Sequence, residues 1–297
     1  MKPSNPKELT PAQKKVLVEK MKMAGTYSKA YEDMGFMSRK DLRPVRLQLE
    51  LLKPDVILRE HKIRSTIVVF GSARVNSPEE AKNRLAECEI KVKASPKDAA
   101  AKSDLKLAKL RVEQARYYEE ARRFAQLASQ VQYEGDHLDL VVVTGGGPGI
   151  MEGANRGAYE VHAKSIGLNI TLPHEQDPNP YITPELCFQF HYFSLRKMHF
   201  LMRAKALVAF PGGYGTFDEL FEILTLVQTG KKSPLPIVLV GKKFWEQAVN
   251  FQFLADQAMI AQEDLDLFSI VDTAEECWDY IQKRWQDRRA VSSETTP

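Results

Sequence analysis

From Thr66 onward the chain alternates short apolar runs with helix-length stretches, and that alternation limits the folds open to it. The runs are Thr66–Phe70, Leu138–Thr144, Ile166–Leu172, Cys187–Phe190, Ala206–Phe210, Ile237–Val240 and Phe268–Val271. Ile67-Val68-Val69-Phe70 and Leu140-Val141-Val142-Val143 are continuous rather than alternating, as expected of strands covered on both faces. Strand and helix taken in turn imply a parallel sheet with helices on its faces, an α/β fold. The 297 residues, 43% hydrophobic and 27% charged, suffice for a large core.

The first 64 residues read differently. They carry no glycine loop and divide into helical pieces: Pro11–Ala24 with Thr10 as N-cap, Tyr27–Met34, Val45–Leu52 stopping before Pro54, and Asp55–His61. Residues 1–10 hold two prolines and read as frayed. The expected organisation is a helical segment over 1–64, an α/β domain over 65–287 and a Ser/Thr-rich tail over 288–297. A charged insertion over about 77–116 interrupts the domain. It reads as a protruding helical hairpin, Pro78–Val92 and Pro96–Ser129, with Ser95 as N-cap of the second helix.

Composition excludes some classes. A formal charge of +3 does not call for nucleic acid, although a basic face on the hairpin would be the place for it. No stretch approaches the roughly 18 apolar residues of a membrane span, and the N-terminus lacks the apolar core of a signal peptide. Cys88, Cys187 and Cys277 have neither metal spacing nor an even count, so the expected location is the reducing cytoplasm.

The chemistry gathers where strands end in small residues. Phe70 is followed by Gly71-Ser72, Thr144 by Gly145-Gly146-Gly147-Pro148-Gly149, and Phe210 by Pro211-Gly212-Gly213-Tyr214-Gly215-Thr216-Phe217-Asp218-Glu219. The last two open helices. Glycine lets backbone N–H groups approach an anion, and a helix N-terminus favours negative charge. Ligands of open α/β sheets bind at carboxyl strand ends. No Gly-Lys-Ser/Thr is present, and Gly145–Gly149 is out of phase with a dinucleotide fingerprint, so a mononucleotide fits better than NAD. Candidate ligand residues are Ser72, Gly145, Gly146, Gly147, Gly212, Gly213, Gly215 and Thr216. Gly153 and Gly157, four apart, suit close approach of their helix to the sheet or to another backbone.

Glu219 has two readings. Thr216-Phe217-Asp218-Glu219 has the spacing of a capping box, in which Glu219 only returns to the Thr216 N–H. Alternatively its carboxylate serves chemistry beside a phosphate. Asp218 suits the helix dipole, and Glu222, one turn on, could face the pocket or solvent. Arg196 and Lys197 open a helix, where a cation gains nothing from the dipole, and Arg196 could hold a phosphate bidentately. His191 and His199 could serve as acids or bases or be structural. The loop Pro173–Pro180 is either a pocket wall or a proline-stiffened connection.

These residues resemble the LONELY GUY (LOG) family. Pro211–Glu219 fits its P-G-G-x-G-T-x-x-E motif, Arg196-Lys197 fits the preceding Arg-Lys pair, and Thr144–Glu152 and Phe70–Arg74 look like its other two loops. The match covers about 66–286, apart from the hairpin and Phe193-Ser194-Leu195, and the long N-terminal portion suggests the family's larger branch. The resemblance implies a Rossmann-like, doubly wound fold, a homodimer or higher homo-oligomer, and hydrolysis of a nucleoside 5′-monophosphate to base and ribose 5-phosphate. The base would be a cytokinin or adenine. It implies Arg196 and Glu219 as the catalytic pair, with Lys197 among the substrate-binding residues. The family's older label, lysine decarboxylase, suits these residues poorly, since nothing suggests a pyridoxal-phosphate site. No cofactor is expected, and no ligand cluster asks for a metal. The alternative is a nucleotide-binding or carrier protein that does not hydrolyse its ligand.

Overall fold

The computed structural model describes residues 8–130, 137–172 and 177–294. Seven strands form one sheet: β1 (Thr66–Phe70), β2 (Val141–Thr144), β3 (Ser165–Ile170), β4 (Cys187–Phe190), β5 (Ala204–Ala209), β6 (Ile237–Val240) and β7 (Ser269–Val271). Their order is β4-β3-β2-β1-β5-β6-β7. Every pairing is parallel. The α/β expectation holds. The chain winds outward from β1 to β4, then returns to lay β5 on the free side of β1. The order therefore reverses between β1 and β5, which is where such sheets open a ligand crevice.

The helices are α1 (Pro11–Met23), α2 (Met34–Met37), α3 (Arg43–Glu60), α4 (Pro78–Ala94), α5 (Ala99–Gln114), α6 (Arg116–Ser129), α7 (Ile150–Glu160), α8 (Phe193–Met202), α9 (Tyr214–Gln228), α10 (Lys242–Ala248), α11 (Phe251–Asp256) and α12 (Ala274–Glu294). Strands β1, β2 and β6 are buried on both faces, which explains their continuous apolar runs, whereas the edge strand β4 alternates exposed and buried residues. One core unites Ile67, Val69, Val142 and Val208 with Phe124 of α6, Ala154 of α7 and Trp278 of α12. On the other face Phe70 meets Phe200 of α8 edge-on, with ring centres 4.8 Å apart. The two helical glycines lie where α7 crosses α6. A Cβ on Gly153 would fall 2.8 Å from the Tyr118 carbonyl oxygen, and one on Gly157 would fall 2.0 Å from that of Arg122. The neighbour that requires glycine there is another helix backbone.

Several boundaries differ from the sequence expectation. The chain divides into compact units Met1–Leu51 and Leu52–Pro297. In the first, Thr10 caps α1 as expected, its Oγ1 accepting from the Gln13 N–H at 3.3 Å. Residues 27–34 are not a helix: a short 3-10 turn, Gly25–Tyr27, is followed by α2, capped by Asp33. Pro54 does not divide α3: it lies buried within a helix that runs on to Glu60. The second unit begins before residue 65, since the later part of α3 is fastened into it. Asp55 accepts from Arg203 at 2.6 Å, which holds its carboxyl below the usual carboxylate range.

The hairpin is present as α4 and α5, but Asp98, not Ser95, caps the second helix. Its carboxylate accepts from the N–H groups of Ala100 and Ala101, whereas Ser95 ends α4. The stretch to Ser129 breaks at Ala115, whose carbonyl accepts from Tyr118 N–H only three residues on. β2 starts at Val141 because Leu140 adopts φ 57°. The final helix runs on to Glu294, so the tail expected from 288 is largely helical. Residues 173–176 of the Pro173–Pro180 loop lie outside the described residues, as do residues 1–7 of the frayed terminus.

Candidate active site

The carboxyl ends of β1, β2 and β3, together with α8 and α9, line a cleft of about 250 Å³. Its walls include Gly71 after β1, Gly145 and Gly147 after β2, Asn169 on β3, Arg196 on α8 and Glu219 on α9. Phe193 and Leu172 add apolar surface at the same cleft.

The turns around it are cross-tied. Phe210 N–H donates to the Phe70 carbonyl at 2.9 Å, and Ser72 N–H to the Pro211 carbonyl at 3.0 Å, so the switch-point turns stay together beyond the strands. The Ser72 carbonyl in turn accepts from Ile150 N–H at 3.1 Å, at the start of α7. Gly149, at φ 74°, is pressed against this junction: a Cβ there would lie 2.4 Å from the Ser72 oxygen.

A buried polar network props up the loop after β2. Thr144 Oγ1 donates to Asn155 Oδ1 at 2.7 Å and accepts from Gly146 N–H at 3.0 Å. Asn179 Nδ2 donates to Asn155 Oδ1 at 2.9 Å and to the Gly147 carbonyl at 3.0 Å, while Asn179 N–H reaches the Gly146 carbonyl. Sequence reasoning did not single out Asn155 or Asn179. Asn155 had a detectable signal, a polar residue between Ala154 and Ala158 on a helix face that packs inward.

Glu219 does not take the capping role that its spacing allows. Helix α9 begins at Tyr214, with extended Gly213 as N-cap and no side chain capping it. Thr216 therefore lies inside the first turn, and the capping box does not form. Glu219 Oε1 instead accepts from Arg196 Nη2 at 2.8 Å, with 12% and 10% of the two side chains exposed. Burial pushes the Glu219 carboxyl up to about 7, against the attraction of Arg196. The Arg196 guanidinium lies over the rings of Phe193 and Phe200, and its Nε–H is buried without a partner among the described residues.

Lys197 is not a neighbour of Arg196 in the cleft. Adjacent residues on a helix point about 100° apart, and its ammonium pairs with Asp218 at 2.6 Å and Glu222 at 3.2 Å. Those pairs account for both carboxylates. Gly146 has spent its N–H on Thr144, and Ser72 its N–H on Pro211, so neither backbone donor is free for a ligand. Gly213 and Gly215 face open space. Gly212 does not: a Cβ there would sit 2.1 Å from Thr216 Oγ1. His199 is buried against Phe190, and His191 lies edge-on to Tyr192; neither lines the cleft.

Fold and site together define a doubly wound α/β protein with a glycine-walled cleft and a buried arginine–glutamate pair at its switch point. Residues 151–281 match the family described as “Possible lysine decarboxylase”. The chain is 32% identical over 126 residues to the pyrimidine/purine nucleotide 5′-monophosphate nucleosidase of Escherichia coli (strain K12), covering 39% of this chain and 27% of that protein. It is 37% identical over 70 residues to the cytokinin riboside 5′-monophosphate phosphoribohydrolase LOG of Oryza sativa subsp. japonica, covering 21% of this chain and 29% of that protein. These matches bear out the LOG resemblance read from the motifs, and each spans less than a third of the relative's own length. Among solved structures, a molybdenum cofactor binding protein from Rippkaea orientalis overlaps 56% of this chain and 86% of its own at 20% identity, with a TM-score of 0.39.

Proposed function

We propose that this protein hydrolyses the N-glycosidic bond of nucleoside 5′-monophosphates, AMP-like or cytokinin ribotides, to free base and ribose 5-phosphate. The observation that carries the proposal is the buried Arg196–Glu219 pair in the switch-point cleft. The activities named for the two relatives are of this kind. The uncapped first turn of α9, with the N–H groups of Gly213, Gly215 and Thr216, holds the 5′-phosphate. Breaking the C1′–N bond builds positive charge on the ribose, and the electron pair leaves with the base. The Glu219 carboxylate stabilises that charge and takes a proton from the water whose oxygen joins C1′. The departing base takes up a proton. Arg196 orients the nucleotide and offers its unpaired Nε–H.

The test is incubation with a panel of purine, pyrimidine and cytokinin monophosphates, quantifying base and ribose 5-phosphate. Arg196→Ala should lower the rate by about 10²-fold or more. Binding without base release from any nucleotide would favour a carrier instead.

Gly212→Ala tests the phosphate turn. Its Cβ must push Thr216 out of the first turn of α9. We expect AMP affinity, read by calorimetry, to fall by about tenfold or more while the fold persists. Unchanged affinity would remove the turn from the site.

A homodimer or higher oligomer is also proposed. Met198 and Met202 on α8 and Phe221 on α9 are exposed apolar groups of the kind such contacts cover. Light scattering decides it. The cysteines Cys88, Cys187 and Cys277 are free, which fits the proposed cytoplasmic location. Among the described residues no helix is long and apolar enough to cross a membrane.

A further inference from the structure

Asn169 occupies the carboxyl end of β3 and lines the cleft. Its amide orientation follows from its partners. Nδ2 donates to the Phe188 carbonyl at 3.2 Å and approaches the Cys187 sulfur at 3.4 Å, so both of its hydrogens are directed toward β4. A flipped amide would set Oδ1 against the Phe188 carbonyl, acceptor against acceptor. Oδ1 is therefore turned from β4 and has no hydrogen-bond partner among the described residues. The amide also lies close over Gly146, where a Cβ would stand 2.5 Å from Oδ1 and 2.6 Å from Nδ2. That packing leaves it little room to turn.

The other polar side chains lining the cleft, Arg196 and Glu219, are paired with each other. Beyond them the described lining side chains are apolar, among them Met151, Ile170, Leu172 and Phe193. Among the described residues, the cleft thus carries Asn169 Oδ1 as a neutral side-chain acceptor able to read a base edge, beside the unpaired Arg196 Nε–H donor. Helix α9 follows β5 on one side of the switch point and Asn169 ends β3 on the other. A nucleotide with its phosphate at α9 and its base in the cleft would bring that base to the flank where Asn169 lies.

We propose that Asn169 Oδ1 selects bases bearing an exocyclic amino group, of the adenine and cytosine type, over their oxo counterparts. This rests on the nucleotide reading of the site. An amino group donates to Oδ1. An oxo group at the same place presents a second acceptor and leaves Asn169 unpaired, the situation in which polar sites discriminate strongly.

The experiment uses the full chain with AMP against IMP and CMP against UMP, measuring equilibrium binding and base release separately. The expected result is a preference of about tenfold or more for the amino member of each pair. In Asn169→Ala, which adds no bulk over Gly146, the ratio should fall to about one, with AMP binding weakened more than IMP binding. A specificity ratio does not depend on the fraction of protein that folds, so loss of the β4 tie cannot imitate this outcome. Equal binding of AMP and IMP by the unaltered protein overturns the proposal, as does a preference that survives in Asn169→Ala. A preference in binding without base release sinks the hydrolase reading and supports this one. Failure to bind any of the four nucleotides overturns both.

Discussion

Glu219→Gln should lower base release by about 10²–10⁴-fold while leaving nucleotide binding largely intact. Glutamine keeps the shape and can still accept from Arg196, but it can neither carry the negative charge nor take a proton. The pH profile separates this from a structural effect. With its carboxyl pushed up to about 7, Glu219 gains its working charge as pH rises through neutrality, so the wild-type rate should climb along a limb near pH 7. The variant should lack that limb. Stability moves the opposite way. The folded protein holds the Glu219 proton more tightly than the unfolded chain does, a contribution present below about pH 4.5 and lost as pH rises through about 7. The loss is on the order of 3 kcal/mol. Denaturant midpoints measured between pH 4.5 and 8 should therefore slope downward for wild type, less that slope in Glu219→Gln. Full activity in the variant would remove Glu219 from the mechanism.

The second large effect is on folding. Gly157→Ala should destabilise the protein by about 1–3 kcal/mol or more, despite alanine's better helix propensity. The new methyl would meet the Arg122 carbonyl oxygen at 2.0 Å and the Ala125 Cβ at 3.0 Å, and main chain cannot swing aside as a side chain can. α7 must lift from α6, disturbing Phe124, Ala125 and Ala154 in the core. Gly215→Ala is the control, since nothing lies within 4 Å of its added Cβ, and it should change stability by about 0.5 kcal/mol or less. Chemical denaturation of the two variants measures both, and a Gly157→Ala midpoint at or above wild type would contradict the close crossing.

The sheet was legible because doubly covered strands must be apolar throughout, and runs such as Ile67–Phe70 and Ile237–Val240 have no other simple reading. The glycine turns were legible for a similar reason: their positions after strands leave few roles. Local spacing failed where helix starts were decided at a distance. Thr216–Glu219 has capping-box spacing, yet extended Gly213 begins the helix earlier and releases Glu219 toward Arg196. Ser95 and Asp98 are both competent caps, and only the folded turn chooses Asp98. Arg196 and Lys197 are neighbours in sequence, and helix geometry sends them to different surroundings. The supports Asn155 and Asn179 lie 24 residues apart and meet only in the folded chain, so no local pattern announces them.

The bonds that Ser72 makes have a consequence for how a ligand arrives. Its amide reaches the turn after β5 and its carbonyl the start of α7. Three turns at the carboxyl edge of the sheet thus share one residue. Little ordering remains to be done when a phosphate enters, so encounter should be governed by diffusion rather than by a slow opening step. The amide hydrogens of Ser72 and Ile150 should then exchange with solvent only when the sheet itself opens, with or without nucleotide.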